Sequence, residues 1–395
     1  MLGEVLLRLR ARYPELELRG LGGAAAAAYG LEPLLPLERT AVSGAWDVLR
    51  RPFFILRMYR MAVAAMEGFR PDLVLLVDYP GLNLRLARRA RALGLDVHFI
   101  APPQAWAYRN PERRARRAAE ALEGCSVHVL FPFEAAAFAA HARKVTVGHF
   151  LVTETPSRPG VAKILCLCPG SRLPVLRRNL PLWLHRLDQL QGLAGHGDAA
   201  PPGPIEVHIL VPAHLEGEAT SLVRAFLVRR VFSARRAESA GNTAPVPRVR
   251  TDKDEALAEA RWAIAFPGTI ALELALRRVP ALILAVLDPL TLAIGKRILA
   301  STDRLGLPNL LLREDLFPEW AGTAAKLTRE AMHGRMSSLL ARKPAWDGAW
   351  EAILGRLEKA VGTGNGAEIC ARECLDTLET AWDKVKNRVN TQVTL

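Results

Sequence analysis

Three apolar runs in this chain each end in a turn that carries a chemically useful group. The runs occupy residues 73–77, 164–168 and 262–266. Asp78 follows the first run, Arg172 ends the turn after the second, and Gly268 follows the third. Short buried strands that lead through a turn into a helix are typical of parallel α/β sheets, whose ligands bind outside the carboxyl ends of the strands. The pattern therefore predicts a ligand site that contains a carboxylate, an arginine and helix starts.

The first two turns suggest different chemistry. A carboxylate at Asp78 could accept a proton from an attacking hydroxyl, although an aspartate after a strand is also a common helix cap. The turn at Gly170, Ser171 and Arg172 would offer backbone N–H groups and a guanidinium to a phosphate. These two turns therefore predict a proton acceptor and an anion site.

The third turn repeats the helix-start pattern. Gly268 and Thr269 would present backbone N–H groups to an anion. Glu273, one helical turn later, could bond to a sugar hydroxyl such as that of a ribose, or it could be an ordinary solvated glutamate. The sequence leaves both interpretations of Glu273 open.

Composition limits the class of partner. The chain has 395 residues, 50% of them hydrophobic, which is enough for two domains with cores of their own. With 53 basic and 40 acidic residues, its net charge is +13, which favours an anionic partner, although an arginine-rich surface alone would give the same excess. Only 6% of the residues are aromatic, and no nucleic-acid-binding motif is present, so we expect no nucleic-acid partner.

The cysteines suggest packing and not metal binding. There are five, an odd number without a second pair at zinc spacing, so we expect no disulfide framework, no metal site and a reducing compartment. Nothing else in the sequence calls for a cofactor, and we expect none.

Strands and helices alternate through most of the chain, which predicts two Rossmann-like α/β domains with parallel sheets. Residues 154–160 have the composition of a linker. We therefore expect an N-terminal domain at residues 1–155 and a second domain at 156–345. A helical segment at 346–395 would follow and could pack back on the first domain.

One helix mixes large apolar residues with arginines. Pro52 should lie in its first turn or at a break, and residues 53–66 should be helical. Such a helix can lie on an anionic bilayer with Phe53 and Phe54 in the apolar layer and the arginines at the headgroups. An ordinary half-buried helix is the equal alternative.

A family resemblance rests on seven motifs that occur in one order along residues 1–345. They are Asp78-Tyr-Pro-Gly-Leu-Asn83, Gln104-Ala-Trp-Ala-Tyr-Arg109, Phe131-Pro-Phe-Glu134, Val147-Gly-His149, Pro169-Gly-Ser-Arg172, Gly268-Thr-Ile-Ala-Leu-Glu273 and Leu307-Pro-Asn309. In this order they resemble the lipid-A-disaccharide synthases. The resemblance implies a GT-B glycosyltransferase, with two Rossmann-like domains whose parallel sheets face each other across a cleft.

The family's activity is what the resemblance implies for function. The expected reaction is inverting and metal-independent, and it moves 2,3-diacylglucosamine from its UDP derivative to the 6-hydroxyl of 2,3-diacylglucosamine 1-phosphate. The products are UDP and the β-1,6-linked lipid A disaccharide. The resemblance further implies a cytoplasmic protein peripherally attached to the inner face of the cytoplasmic membrane, and it allows a homodimer.

The motifs also imply roles for individual residues. Asp78 matches the candidate general base. The expected donor site comprises Gly170, Ser171, Arg172, Gly268, Thr269, Glu273 and Asn309. Trp106 and Arg109, with Phe53 and Phe54, would lie on the acceptor or lipid side.

Several positions depart from the family pattern. Family members begin with a strand and a glycine-rich loop that precede the point at which this chain starts. Polar residues of the family are replaced at five positions: Gly81, Thr153, Val175, Ala285 and Gly322. These departures favour an impaired or truncated homologue that binds a UDP-sugar or a membrane without turnover. Another UDP-sugar GT-B enzyme is a separate alternative, and the loop at residues 104–109 argues against it.

Overall fold

The computed structural model describes residues 2–22, 24–35, 52–151, 163–188, 205–236, 246–298, 304–341, 343–362 and 364–392. The chain divides into two compact units. The first combines Met1–Thr153 with Lys359–Leu395, and the second is Glu154–Glu358. The expected linker at residues 154–160 lies outside the described residues, and the three-part division at residues 155 and 345 stays a prediction.

All strands that share a sheet run parallel. In chain order they are β1 (Leu18–Gly20), β2 (Leu31–Pro33), β3 (Val74–Val77), β4 (Val97–Ile100), β5 (Ser126–Val129), β6 (Lys144–Val147), β7 (Ile164–Cys168), β8 (Glu206–Leu210), β9 (Arg248–Arg250), β10 (Trp262–Ala265), β11 (Ala281–Val286) and β12 (Glu319–Gly322).

Helices connect most of these strands, because a parallel pair needs a crossover. The described α-helices are α1 (Leu2–Arg12), α2 (Ala24–Ala27), α3 (Pro52–Phe69), α4 (Pro80–Ala92), α5 (Pro111–Ala121), α6 (Ala135–Phe138), α7 (Leu173–Asp188), α8 (Glu216–Arg236), α9 (Lys253–Glu259), α10 (Thr269–Leu276), α11 (Pro289–Ile298), α12 (Leu307–Leu312), α13 (Arg329–Ala341), α14 (Lys343–Val361) and α15 (Gly366–Gln392). In the described part of the chain, no helix has the length and hydropathy that a membrane span requires.

The main sheet of the first unit has the strand order β3-β4-β5-β6, and β1 pairs separately with β2. Its register places Val74 beside Val97 and Val77 beside Ile100. Among the described residues, β3 has no strand partner except β4, so it forms one edge of the sheet. The apolar core packs this sheet against α3, α4 and α5.

The second unit contains a six-stranded sheet with the order β12-β11-β10-β7-β8-β9. Its first strand, β7, therefore lies in the middle, and the chain crosses from one side of β7 to the other between β9 and β10. All five residues of β7 are buried, as expected for a strand covered on both faces. Trp183 on α7 and Trp262 on β10 are among the largest fully buried side chains.

The described part of the expected helical segment at residues 346–395 consists mainly of two helices, α14 and α15. Gly362 has a φ of 89°, a left-handed conformation that glycine adopts without strain. It directly follows the end of α14 and precedes α15. Trp350, Leu354 and Leu357, which share one face of α14, are buried.

Helix α15 packs on the sheet of the first unit. The imidazole of His98 on β4 is 2.9 Å from the Thr377 hydroxyl oxygen, and Lys144 on β6 pairs with Glu373. The helix begins where two backbones nearly touch, because a Cβ built on Gly366 would lie 2.6 Å from the carbonyl oxygen of Gly148. Contacts of the C-terminal helix with β4 and β6 thus make it part of the first unit.

The backbone contact at Gly366 generates a stability prediction. Gly366→Ala should lower the free energy of urea unfolding by about 1–3 kcal/mol, because the new methyl group would overlap the backbone of Gly148. Gly68→Ala on α3 is the matched control in the same unit, since a Cβ there meets no atom within 4 Å. Equal unfolding free energies for the two variants would contradict the assignment.

Candidate functional site

Asp78 lies directly after β3, and the backbone at this point is unusual. Asp78 and the following Tyr79 both have a φ of 49°, in the left-handed region that residues with a Cβ rarely adopt. The side-chain amide of Asn83 holds this turn by donating to the carbonyl oxygens of Val77 at 3.0 Å and Asp78 at 2.7 Å. Pro80 then begins α4.

The carboxylate of Asp78 is exposed, and among the described residues no hydrogen bond or ion pair involves it. The alternative expectation, a helix cap, is wrong, because α4 is preceded by Tyr79 and has no side-chain cap. Left-handed non-glycine residues also follow β4, at Ala101 and Asn110. Strained backbone of this kind persists where surrounding structure enforces it, and it is frequent at functional sites.

The loop after β4 carries Trp106, and a buried carboxylate fixes it. The indole N–H of Trp106 donates to Oε1 of Glu134 over 2.8 Å. Oε2 of Glu134 accepts the backbone N–H groups of Leu130 at 3.1 Å and Phe131 at 3.0 Å. Burial raises the pKa of Glu134, and these three hydrogen bonds oppose that shift.

Glu134 ends the Phe131-Pro-Phe-Glu134 motif, and no role was predicted for it. A glutamate that follows a strand in a Phe-Pro-Phe-Glu turn can bond back to the backbone, and that pattern was a usable signal. His149, after β6, was also missed. Burial lowers the pKa of His149 to about 4, so its ring is neutral at pH 7. The centroid of this ring lies 5.3 Å from the centroid of the Phe131 ring.

The other residues assigned to the acceptor or lipid side have separate positions. Arg109 is exposed just before α5. On α3, Phe53 is 85% exposed, whereas Phe54 packs against the core. Of these two phenylalanines, only Phe53 is therefore exposed enough to contact an external surface.

In the second unit, two of the predicted turns lie side by side. The backbone N–H of Phe266 donates to the carbonyl oxygen of Cys168 over 2.9 Å, because β10 is the neighbour of β7. The turn at Gly170 leads into α7, and the turn at Gly268 leads into α10. This is where the strand order reverses, and in open α/β sheets ligands bind at that crevice.

The residues of this crevice suit an anion. Gly170 has a φ of 115°, and a Cβ on it would lie 2.6 Å from Cγ1 of Val175, so only glycine fits. Ser171 and Arg172 are exposed, and among the described residues no hydrogen bond or ion pair of the Arg172 guanidinium is found. Gly268 and Thr269 are exposed at the start of α10, which has no side-chain cap. Uncapped N–H groups and an uncommitted guanidinium can together bind a phosphate.

Glu273 is not the solvated glutamate of the default expectation. It is buried, and its Oε1 accepts Lys253 Nζ at 2.8 Å and Arg277 Nη2 at 3.1 Å. Asn309 is also buried, with both ends of its amide bonded to the backbone of Phe317 at 2.8 Å. These bonds hold local structure, and binding of a sugar or nucleotide by either residue stays a prediction.

Two of the positions expected to depart from the family pattern have ordinary packing roles. Val175 fills the space beside Gly170, and Ala285 is buried within β11. Gly322 pairs with Val286 in the sheet, and Gly81 is exposed in the first turn of α4. Thr153 lies outside the described residues.

The sequence of this chain is similar to those of one family of known proteins. The chain matches the family model described as lipid-A-disaccharide synthetase over residues 1–196 and 228–344. It is 31% identical over 341 residues to the lipid-A-disaccharide synthase of Alkalilimnicola ehrlichii, covering 82% of each chain. It is also 31% identical over 358 residues to that of Pseudomonas paraeruginosa, covering 86% of each.

Solved structures show the fold. A UDP-GlcNAc 2-epimerase from Neisseria meningitidis, bound to UDP-GlcNAc, matches with a TM-score of 0.56 at 10% identity, over 95% of this chain and 96% of that one. The glycotransferase of kitacinnamycin matches with a TM-score of 0.51 at 15% identity over 94% of each chain. The predicted GT-B class is confirmed, and the sequence matches decide the family. The chain belongs to the lipid-A-disaccharide synthetase family.

Proposed function

We propose that this lipid A glycosyltransferase moves 2,3-diacylglucosamine from its UDP derivative to the 6-hydroxyl of 2,3-diacylglucosamine 1-phosphate. The products would be UDP and the β-1,6-linked disaccharide. The proposal rests on the crevice between β7 and β10 in a chain of this family. In the described residues, the Arg172 guanidinium there has no hydrogen bond or ion pair, and two helices begin beside it.

On the acceptor side, Asp78 accepts the proton of the 6-hydroxyl as its oxygen attacks the anomeric carbon of the donor. The bond from that carbon to the UDP oxygen breaks, and attack from the opposite face inverts the anomeric centre. Support for this role comes from the exposed carboxylate of Asp78 and from the bonds of Asn83 that fix its turn. A general base must be accessible and held in place.

On the donor side, negative charge develops on the leaving pyrophosphate. Arg172 and the N–H groups at the starts of α7 and α10 stabilise that charge, so that the reaction needs no metal ion. Ser171 and Thr269 add hydroxyl groups at the same helix starts. Glu273 would bind the ribose only by sharing its carboxylate with Lys253 and Arg277.

We propose further that α3 attaches the protein to the anionic inner face of the cytoplasmic membrane, where both acylated substrates reside. Met58, Ala62 and Met66 are buried on one side of this helix, while Phe53 and Leu56 are exposed, together with Arg57 and Arg60. The combination of exposed apolar and basic side chains suits a headgroup layer. Our proposal also includes a homodimer, which the family resemblance allows.

The second candidate is a homologue that binds a UDP-sugar without turnover. The apolar or small residues at Val175, Ala285 and Gly322 favour it, because each stands where the family has a polar group. A donor that binds to the wild-type chain but releases no UDP when the acceptor is added would select this candidate.

Loss of Arg172 tests the donor site. Arg172→Ala should raise the KM for the UDP-sugar roughly 10- to 100-fold, because it removes charge-assisted hydrogen bonds to phosphate. The measurement is UDP release at varied donor concentration. Arg177→Ala is the control, since Arg177 is an exposed arginine on α7, the helix that follows Arg172, and it pairs with Glu218. If both variants changed the donor KM equally, the anion site would be misassigned.

Loss of the Asp78 carboxylate tests the general base. Asp78→Asn should lower kcat about 10²- to 10⁴-fold with little change in either KM, because the amide cannot accept the proton. Asp72→Asn, an exposed aspartate before the amino end of the same strand, should leave kcat unchanged. Full turnover by Asp78→Asn would remove this assignment.

Loss of Phe53 tests membrane attachment. Phe53→Ser should lower the fraction of protein that cosediments with vesicles containing anionic phospholipid severalfold, because one exposed aromatic side chain no longer enters the interface. Leu7→Ser is the matched control, since Leu7 is a 56% exposed apolar residue on α1 of the same unit. The idea fails if the two variants bind vesicles alike.

A further inference from the structure

Three aromatic rings form a cluster at the carboxyl edge of the first unit's sheet. Phe131 and Phe133 stack with centroids 5.5 Å apart and planes 6° apart. The Trp106 ring meets both edge-on, at 5.9 Å from Phe131 and 5.6 Å from Phe133. We call these three rings the aromatic platform. Its inner ring, Phe131, is fully buried, whereas Phe133 is 51% exposed.

Phe133 leaves about half of its ring exposed at the edge of this stack, where a ligand could contact it. The chain also keeps a buried carboxylate, Glu134, in contact with Trp106, and burial of this kind is unfavourable without strong hydrogen bonds. Its bond to Trp106 sets the orientation of the indole. Its bonds to the backbone of Leu130 and Phe131 set the turn that carries Phe133. One side chain therefore fixes the two outer rings of the platform.

We propose that the aromatic platform binds the apolar face of the acceptor sugar ring, with Phe133 and Trp106 in contact with it and Glu134 as the positioning residue. The proposal rests on the proposed glycosyl transfer, because the acceptor is the sugar that must reach Asp78. Strands β3, β4 and β5 are neighbours, so the turns that carry Asp78, Trp106 and Phe133 follow each other along one sheet edge.

The ligand is a sugar ring and not an acyl chain, because the platform is rigid. Rings whose orientation is already held by a buried carboxylate suit a rigid ligand, because these side chains lose little conformational entropy on binding. An acyl chain needs apolar area without a fixed orientation. Aromatic side chains with a few well-placed polar groups are the common lining of small-molecule sites.

Two substitutions break the same hydrogen bond from opposite sides. In Glu134→Gln, the amide oxygen can still accept the backbone N–H groups, but its NH₂ cannot accept the indole N–H. Trp106→Phe keeps a ring and removes the N–H. Each should raise the KM for diacylglucosamine 1-phosphate about tenfold and leave the donor KM unchanged, and the double variant should be no worse than the poorer single one. Phe133→Ala should raise the same KM.

Matched controls separate positioning from folding. Glu319→Gln alters a half-buried glutamate whose pKa is also raised by burial and whose oxygens also accept backbone N–H groups, here of Leu305 and Gly306. Trp382→Phe alters a 58% exposed tryptophan. Neither should change the acceptor KM. An unchanged acceptor KM in Trp106→Phe, with wild-type activity intact, would overturn the proposal.

Binding without turnover keeps this proposal distinct from the proposed reaction. Subtracting the fluorescence of Trp106→Phe from that of the wild-type chain isolates Trp106, and titration with glucosamine 1-phosphate should change this signal saturably. Glu134→Gln should weaken that binding as much as it weakens binding of the diacylated sugar. A saturable signal in a chain that fails to transfer would refute the reaction but not the platform. If Glu134→Gln weakened binding of the diacylated sugar but not of glucosamine 1-phosphate, the platform would bind the acyl chain, and the proposal would be refuted.

Discussion

Parallel strand pairing is the constraint on which the candidate sites depend. In each main sheet every strand points the same way, so all turns that follow the strands emerge at one edge. In the first unit this edge carries Asp78, Trp106 and Glu134. In the second, it carries the turns at Gly170 and Gly268. Hydrogen bonding between parallel strands therefore brings residues that are far apart in the chain to the same edge of the sheet.

Within that constraint, buried charge does much of the positioning. Glu134 and Glu319 each lose water and recover hydrogen bonds from backbone N–H groups, and burial raises the pKa of both. Glu273 is instead neutralised by Lys253 and Arg277. Removing one partner from such an arrangement leaves an uncompensated group, which is why these contacts define local geometry strongly. Asp78 and Arg172 differ, because they are exposed and uncommitted among the described residues.

Family membership and local geometry support different parts of the functional argument. The sequence matches place the chain among the lipid-A-disaccharide synthetases and make it a lipid A glycosyltransferase. The geometry adds the crevice beside Arg172 and the strained turn at Asp78. Val175, where the family is expected to have a polar residue, fills the space beside Gly170.

The sequence by itself determined the α/β class, the alternation of strands and helices, and the turns at Asp78, Gly170–Arg172 and Gly268, because these follow from local hydrophobic patterns and turn chemistry. It did not reveal that Glu134 holds Trp106, that Lys253 pairs with Glu273, or that α15 packs on β4 and β6. Each of these contacts joins segments that are distant in the chain. Sheet order and register decide such contacts, and no local pattern encodes them, so only the tertiary structure could supply them.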